Sequence, residues 1–363
     1  MAVAWIGNRE TLIERAVEHA AALLSSSRCP VFSFDTDIHG TRAAIALAER
    51  VGAAYDHVDG EALARETALF TDRGGMFVSP GEVRRRADVV AIVGELPDMH
   101  RDFVAELAET VPDLSPSNSR EFFLIGDGRT RAPSLGSGRR SVRLSCGAPG
   151  LGATLAALRA QCAGRQVTVP VSNFGRFQNA LADARFPVFL FSGHATDGLA
   201  LEMLQGLIAD LNRRSRAAGL HLPASESGWG STLASTWISG YGLRTGFARG
   251  FPEFDPWRFD VQRAIAAGEA DFHLWVSSNG GEPPAKQNST KLIALAKTAY
   301  RIPGAAVTIP VGEAGVDHDA VVYSARTGSL AWIAAQSSSE LPSAAAILRS
   351  IAEHATAGAP FPC

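Results

Sequence analysis

Lysine is nearly missing from this sequence. Of 34 basic residues only Lys286, Lys291 and Lys297 are lysine, and the rest are arginine. Cysteine is almost as scarce: Cys29, Cys146, Cys162 and Cys363 are scattered, with no C-x-x-C pair. This spacing argues against a disulfide framework and against a cysteine-ligated zinc or iron–sulfur site. No apolar run reaches the roughly 18–20 residues that a membrane span requires. The segment Met1–Glu10 lacks the basic n-region, long apolar h-region and cleavage site of a signal peptide. A cytoplasmic protein with no membrane contact is expected. Walker A, a complete dinucleotide fingerprint and G-x-S-x-G are all missing, so the common phosphate cradles and a nucleophile elbow are unsupported. A formal net charge of −3 excludes a broadly basic nucleic-acid binder.

What is present is an ordinary globular composition, 46% hydrophobic and 20% charged over 363 residues, enough for two α/β lobes with sizeable cores. Apolar spacing predicts helices over Glu10–Leu24, Thr41–Val51, Asp102–Glu109, Leu151–Cys162, Leu199–Arg216, Ser289–Ala296 and Ser343–His354. Short β-rich runs predict strands over Pro30–Phe34, Ala87–Val93, Glu121–Ile125, Ser141–Ser145, Phe186–Ser192, Phe272–Val276, Ala306–Ile309 and Ala320–Tyr323. Ser79-Pro80-Gly81-Glu82 combines a cap serine, proline at the first helical position and glutamate three residues on. Ala132–Arg140 reads as a loop, and Gly228–Tyr241 as a glycine-rich aromatic loop. The alternation predicts mostly parallel sheets with helices on both faces.

Local motifs give no complete catalytic set. Gly126–Ala132 (GDGRTRA) follows a strand, where α/β folds bind ligands, but the plain reading is a tight turn. Ser192-Gly193-His194 ends a strand and can place an imidazole in a crevice; a bond to nearby backbone is the simpler role. His273 lies inside a strand and reads as structural. Asp35-Thr36-Asp37-Ile38-His39 is the best local candidate for metal or proton chemistry, and its carboxylates serve equally as a helix cap. Asp317-His318-Asp319 reads as a solvated turn. The strongest charge features are Arg84-Arg85-Arg86, Arg139-Arg140 and Arg213-Arg214-Arg216. Such runs are solvated faces or ion-pair partners, or sites for a polyanion, because guanidinium forks grip carboxylates bidentately.

As an ordered set, five stretches resemble the B subunit of formylmethanofuran dehydrogenase, within the molybdopterin oxidoreductase superfamily. They are RCPVFSFDTDIHGTRAAIALAERVGA from Arg28, SPGEVRRRADVVAIVGELPDMH from Ser79, FFLIGDGRTRA from Phe122, GWGSTLASTW from Gly228 and EADFHLWVSSNGGEP from Glu269. The resemblance extends from about Leu12 to His354. It implies two Rossmann-like lobes with mostly parallel sheets, one inserted into the other. The inserted lobe is expected at 60–222, and the discontinuous one at 1–59 and 223–363.

The departures matter more. Catalytic members carry a cysteine-rich segment for a four-iron cluster, and the expectation is that this chain starts beyond it. They also carry a cysteine or selenocysteine metal ligand with a histidine beside it. Counting back from Gly81-Glu82-Val83, that place falls at Ala62 and Leu63, which can neither ligate a metal nor move a proton. The family's G-x-N-P turn reads Gly94-Glu95-Leu96-Pro97, and its D-P-R loop reads Asp127-Gly128-Arg129.

A B-like subunit without its redox centre resembles the non-redox B subunit of the bacterial formyltransferase/hydrolase complex of methylotrophs. That complex moves a formyl group from tetrahydromethanopterin to methylofuran and hydrolyses it to formate. The resemblance implies a non-catalytic scaffold with A, C and D subunits as partners, and with no molybdopterin, iron–sulfur cluster or metal of its own. Methylofuran belongs to the assembly, and Arg84, Arg85, Arg86, Arg139 and Arg140 are candidate contacts for its polyglutamate chain. The alternative of another class is an active molybdopterin or tungstopterin oxidoreductase subunit, whose metal would lack a protein thiolate. A third is a binding module that keeps a pterin or nucleotide in the old cleft.

Overall fold

The computed structural model describes residues 3–72, 74–116, 118–136, 139–147, 150–194, 196–285 and 290–356. They divide into two compact units. One comprises Met1–Ala64, Ser225–Tyr323 and Leu330–Cys363; the other comprises Arg65–Ala224 and Ser324–Ser329.

The first unit is built on a nine-stranded sheet. Its order is Glu253–Phe254, Thr245–Gly246, Ala54–His57, Pro30–Asp35, Phe272–Ser277, Lys291–Ala296, Val307–Pro310, Ala4–Ile6 and Arg9–Thr11. The five strands from Ala54–His57 to Val307–Pro310 are parallel, and the two at each edge are antiparallel. Phe272–Ser277 is buried at every position, as a central parallel strand covered on both faces should be. The helix Ile38–Val51 starts where the Asp37 carboxylate accepts the Gly40 N–H at 2.8 Å. It stops at Gly52, whose φ of 72° is open to glycine at little cost.

The second unit has five parallel strands in the order Val142–Leu144, Glu121–Ile125, Val89–Val93, Pro187–Phe191, Ala218–His221. Successive side chains alternate between faces. Val89, Ala91 and Val93 join Phe123, Phe189 and Phe191 in one apolar cluster with Leu155, Leu158, Leu201 and Leu204. Val90 and Ile92 join Phe122, Leu124, Val188 and Leu190 in another with Phe103, Val104 and Leu107. Each of these large side chains contributes about 1.5–3 kcal/mol by leaving water. The helices supplying them are Gly150–Cys162 and Gly198–Leu211 on the first face and Arg101–Glu109 on the second.

Arg120 is buried in this unit and bonded to carbonyls. It donates to the carbonyls of Ala87 and Arg84, each at 2.7 Å, of Thr110 at 3.1 Å, and of Leu107. These carbonyls close the helices Pro80–Arg86 and Arg101–Glu109, whose last C=O groups lack partners within the helix. Ser79 caps Pro80–Arg86, its hydroxyl accepting the Glu82 N–H at 3.3 Å.

The α/β class with mostly parallel sheets is the one the sequence predicts, but three of the predicted elements differ, and the strands Ala54–His57 and Ala218–His221 and the helices Gly60–Asp72, Phe174–Asp183 and Val261–Ala266 are not among those predicted. Gly228–Tyr241 is not a loop: Glu226–Ser239 is a helix capped by Ser225, whose Oγ accepts the Gly228 N–H at 3.0 Å. Its glycines mark close packing rather than turns. The KLIALA run is not helical either; Lys291–Ala296 is a central parallel strand, with its register set by Phe272–Ser277 on one side. Ser289, the predicted start of that helix, lies outside the described residues. Leu199–Arg216 is too long, since the helix ends at Leu211 and Asn212 donates its side-chain amide to the Ile208 and Ala217 carbonyls.

Candidate functional site

Ligands of open parallel sheets bind beyond the carboxyl ends of the strands, where the strand order reverses. In the first unit that place lies between Pro30–Asp35 and Phe272–Ser277, because the chain adds strands on opposite sides of this pair. Asp35 ends one strand, His57 ends its neighbour, and Ser278 and Asn279 follow the other. Asn279 donates its amide to Asp35 Oδ1 at 2.7 Å, and His57 Nε2 lies 3.7 Å from the same oxygen.

His57 is fully buried, and its Nδ1 accepts the Asp59 N–H at 3.0 Å. A neutral ring therefore carries its proton on Nε2, facing Asp35. That Nε2 makes no hydrogen bond among the described residues. Burial works to raise the Asp35 carboxyl, but His57, Ser227 and Asn279 outweigh it and hold it below the ordinary value. The arrangement keeps an anion beside a proton donor.

Asp56 forms the support behind the pair. It is 2% exposed; its Oδ1 accepts the His57 N–H at 2.8 Å and its Oδ2 accepts Arg244 Nε at 3.1 Å. Burial pushes its carboxyl up to about 6 despite the guanidinium beside it. Arg244 also meets Glu61 at 3.1 Å and Asp260 at 3.0 Å, and its φ is 62°. A left-handed arginine is uncommon, and here three carboxylates hold it.

Ala62 and Leu63 lie in the first turn of the helix Gly60–Asp72. Leu63 is 1% exposed and packs where Gly228 has no side chain. This turn offers no thiolate, imidazole or carboxylate at either position. The residues at 62 and 63 do not fit a molybdenum or tungsten ligand. Among the described residues no group of three His, Cys, Asp or Glu side chains could hold a metal ion.

The second unit has its own buried acid. Glu66 is 0% exposed, and its Oε1 accepts the N–H groups of Gly193 at 2.7 Å and Ala224 at 3.3 Å. His221 Nε2 lies 3.2 Å from the same oxygen. Glu66 thus fills the strand end that the sequence offers to His194, which is exposed. Asp127 makes the turn expected of GDGRTRA, accepting the Arg129 N–H at 2.8 Å and the Thr130 N–H at 2.6 Å.

The arginines scatter in role. Arg84 pairs with Glu106 at 2.7 Å and stacks over Phe103, and Arg85 pairs with Asp113 at 2.8 Å. Arg86 is only loosely held by Glu82, at 3.8 Å. Arg139 and Arg140 are exposed and meet no carboxylate among the described residues. Asp37 is the helix cap and His39 is exposed; of that motif Asp35 and Thr36 reach the crevice, where Thr36 Oγ1 accepts the Ser278 hydroxyl at 3.0 Å. His57, Asp56, Arg244 and Glu66 went unmarked in the sequence. One signal was available for Glu66, which falls at helical spacing between Leu63, Leu69 and Phe70 on a buried face.

No protein-family model matches the sequence. Whole-chain comparison is decisive. The B subunit of the formyltransferase/hydrolase complex of Methylorubrum extorquens is 34% identical over 343 residues, 93% of each chain. The chain belongs to the family of formyltransferase/hydrolase complex B subunits. A solved structure agrees with this assignment: the formyltransferase/hydrolase complex from Methylorubrum extorquens, in complex with methylofuran. It contains a chain that matches with a TM-score of 0.87 and 32% identity, over 96% of this chain and 98% of that one. A more distant relative of the family is the B subunit of the tungsten-containing formylmethanofuran dehydrogenase 2 of Methanocaldococcus jannaschii. It is 22% identical over 338 residues, 85% of this chain and 75% of its own length.

Proposed function

We propose that this protein is the non-redox B subunit of a cytoplasmic formyltransferase/hydrolase complex, a scaffold whose partners are the A, C and D subunits. The complex passes a formyl group from tetrahydromethanopterin to methylofuran and releases it as formate. The A and D subunits carry that chemistry. This reading rests on the chain-long match to a B subunit combined with donor-free side chains at Ala62 and Leu63. Formyl transfer and hydrolysis change no oxidation state, so this chain has no need of a redox metal.

This chain's own residues hold a fold, and five of them supply positive charge toward the coenzyme. Arg86, Arg139 and Arg140 offer forks to the polyglutamate chain of methylofuran, with Arg84 and Arg85 available by exchanging Glu106 and Asp113 for it.

The test is purification of the native assembly through this chain, followed by elemental analysis for molybdenum, tungsten, iron and zinc normalised to it. Co-purification of A, C and D with neither molybdenum nor tungsten is the expected result. Stoichiometric molybdenum or tungsten would make the active pterin-dependent oxidoreductase the correct reading, the alternative that the tungsten-containing relative favours. An A–C–D assembly that forms and produces formate equally well without this chain would remove the scaffold role.

A further inference from the structure

We propose that the unit formed by Arg65–Ala224 binds a multivalent oxyanion, a short chain of carboxylates or phosphates, in an arginine-lined cavity at the amino ends of its strands. The cavity has a volume of about 650 Å³ and is lined by Arg86, Arg185, Arg213, Arg214 and Arg216. These residues come from three places in the sequence, each just before a strand: Val89–Val93, Pro187–Phe191 and Ala218–His221. This is the end opposite to the one where Glu66 lies.

Countercharge is short. Glu82 reaches Arg86 at 3.8 Å and Asp210 reaches Arg213 at 3.7 Å, both loosely. Asp210 is engaged chiefly by Arg159, at 2.6 Å. Asp88, the buried acid nearby, uses its carboxylate on the N–H groups of Val89 at 3.0 Å, Arg185 at 2.6 Å and Phe186 at 3.1 Å. Asp183 ends the helix Phe174–Asp183 and is exposed. Arg185, Arg214 and Arg216 form no ion pair with a carboxylate among the described residues. A helix C-terminus favours one nearby cation, which accounts for Arg86 and Arg213 at the ends of Pro80–Arg86 and Gly198–Leu211. It leaves the other three without a structural reason.

The walls are fixed before any ligand arrives. Asp88 pins the backbone at Arg185 and Phe186. Asn212 locks its turn through the Ile208 and Ala217 carbonyls, and the Ser215 N–H bonds to the Leu211 carbonyl at 2.9 Å. Guanidinium groups carried by a fixed backbone around one opening attract several negative charges at once, and each fork takes a carboxylate or phosphate oxygen pair. A single-charge anion leaves most of the cluster unmatched.

The inference shares Arg86 with the coenzyme contacts proposed above but rests on this cavity and not on the role in the complex; the experiment uses the full chain alone. Tetraglutamate and tripolyphosphate are titrated calorimetrically into wild type, R214Q/R216Q and the charge-matched control R9Q/R15Q, at low and high salt. Arg9 and Arg15 are exposed in the other unit. Saturable binding is expected, weakened about tenfold or more by R214Q/R216Q, little changed by the control, and lost at high salt. The tighter of the two probes identifies the source as a carboxylate or a phosphate chain. Equal weakening by both double variants, or no saturable binding of either probe, overturns the proposal. Matching thermal unfolding of the variants and wild type guards against a folding defect.

Discussion

Burial holds the His273 imidazole down at about 4, and its Nε2 meets the Ser33 hydroxyl at 2.7 Å inside the nine-stranded sheet. In the unfolded chain the same ring titrates near 6.5. The folded pKa is the lower one, so between the two values the unfolded state binds more protons. The associated stability is fully present above about 6.5 and is lost as pH falls toward 4, by about 3 kcal/mol at most. Asp56, pushed up to about 6, works oppositely between about 4 and 6. Comparison with His273→Asn cancels the Asp56 effect, which both proteins share. Urea unfolding from pH 4 to 7 should show wild type losing stability relative to the variant as pH falls. Parallel curves would reject the assignment. The structural role of His273 was legible in the sequence because β-rich neighbours fix the strand. His57 was not, since nothing in Tyr55-Asp56-His57 reveals that its ring meets Asp35 across the sheet.

At the scale of elements, period and capping were readable where they acted alone. Ser79 and Asp37 cap helices from short local patterns. The helix Glu226–Ser239 was hidden because its glycines answer to neighbours outside the helix. A Cβ on Gly228 would lie 2.5 Å from Leu63 Cδ1 and 3.3 Å from His57 Cε1. In an exposed helix Gly→Ala gains about 1 kcal/mol. Here Gly228→Ala overpacks a buried contact, and a net loss of about 1–2 kcal/mol is expected. Leu63→Ala alone costs about 2–5 kcal/mol through its cavity. The two changes should compensate, so that G228A/L63A is less destabilised than the sum of the single variants. Additive losses in a denaturant cycle would show that the two positions do not compete for one space. Lys291–Ala296 failed for a related reason: a leucine–alanine run suits either structure, and only the flanking parallel strands decide it.

At the scale of the whole molecule, the order of motifs along the chain told more than any one of them. Alternating helices and strands specified the class, and the five ordered stretches specified the family. Neither could show that Glu66 and Asp35 occupy the strand ends. Those facts depend on which strands lie side by side, which is set by contacts far apart in sequence.

Charge distribution yields the remaining prediction. With net charge −3 the molecule as a whole does not attract polyanions, so attraction must come from local clusters. Arg84-Arg85-Arg86 forms one such cluster, but two of its forks already hold Glu106 and Asp113. Replacing all three by Gln leaves Glu106 paired with Arg326 at 2.8 Å, so the fold loses little. If these arginines guide the coenzyme's glutamate chain, R84Q/R85Q/R86Q in the reconstituted complex should lower formate formation. It should also flatten the dependence of that rate on ionic strength, because salt then has less charge to screen. Unchanged activity with an unchanged salt response would assign the run to its internal ion pairs. A lower rate with the salt response intact would point instead to a changed interface with a partner.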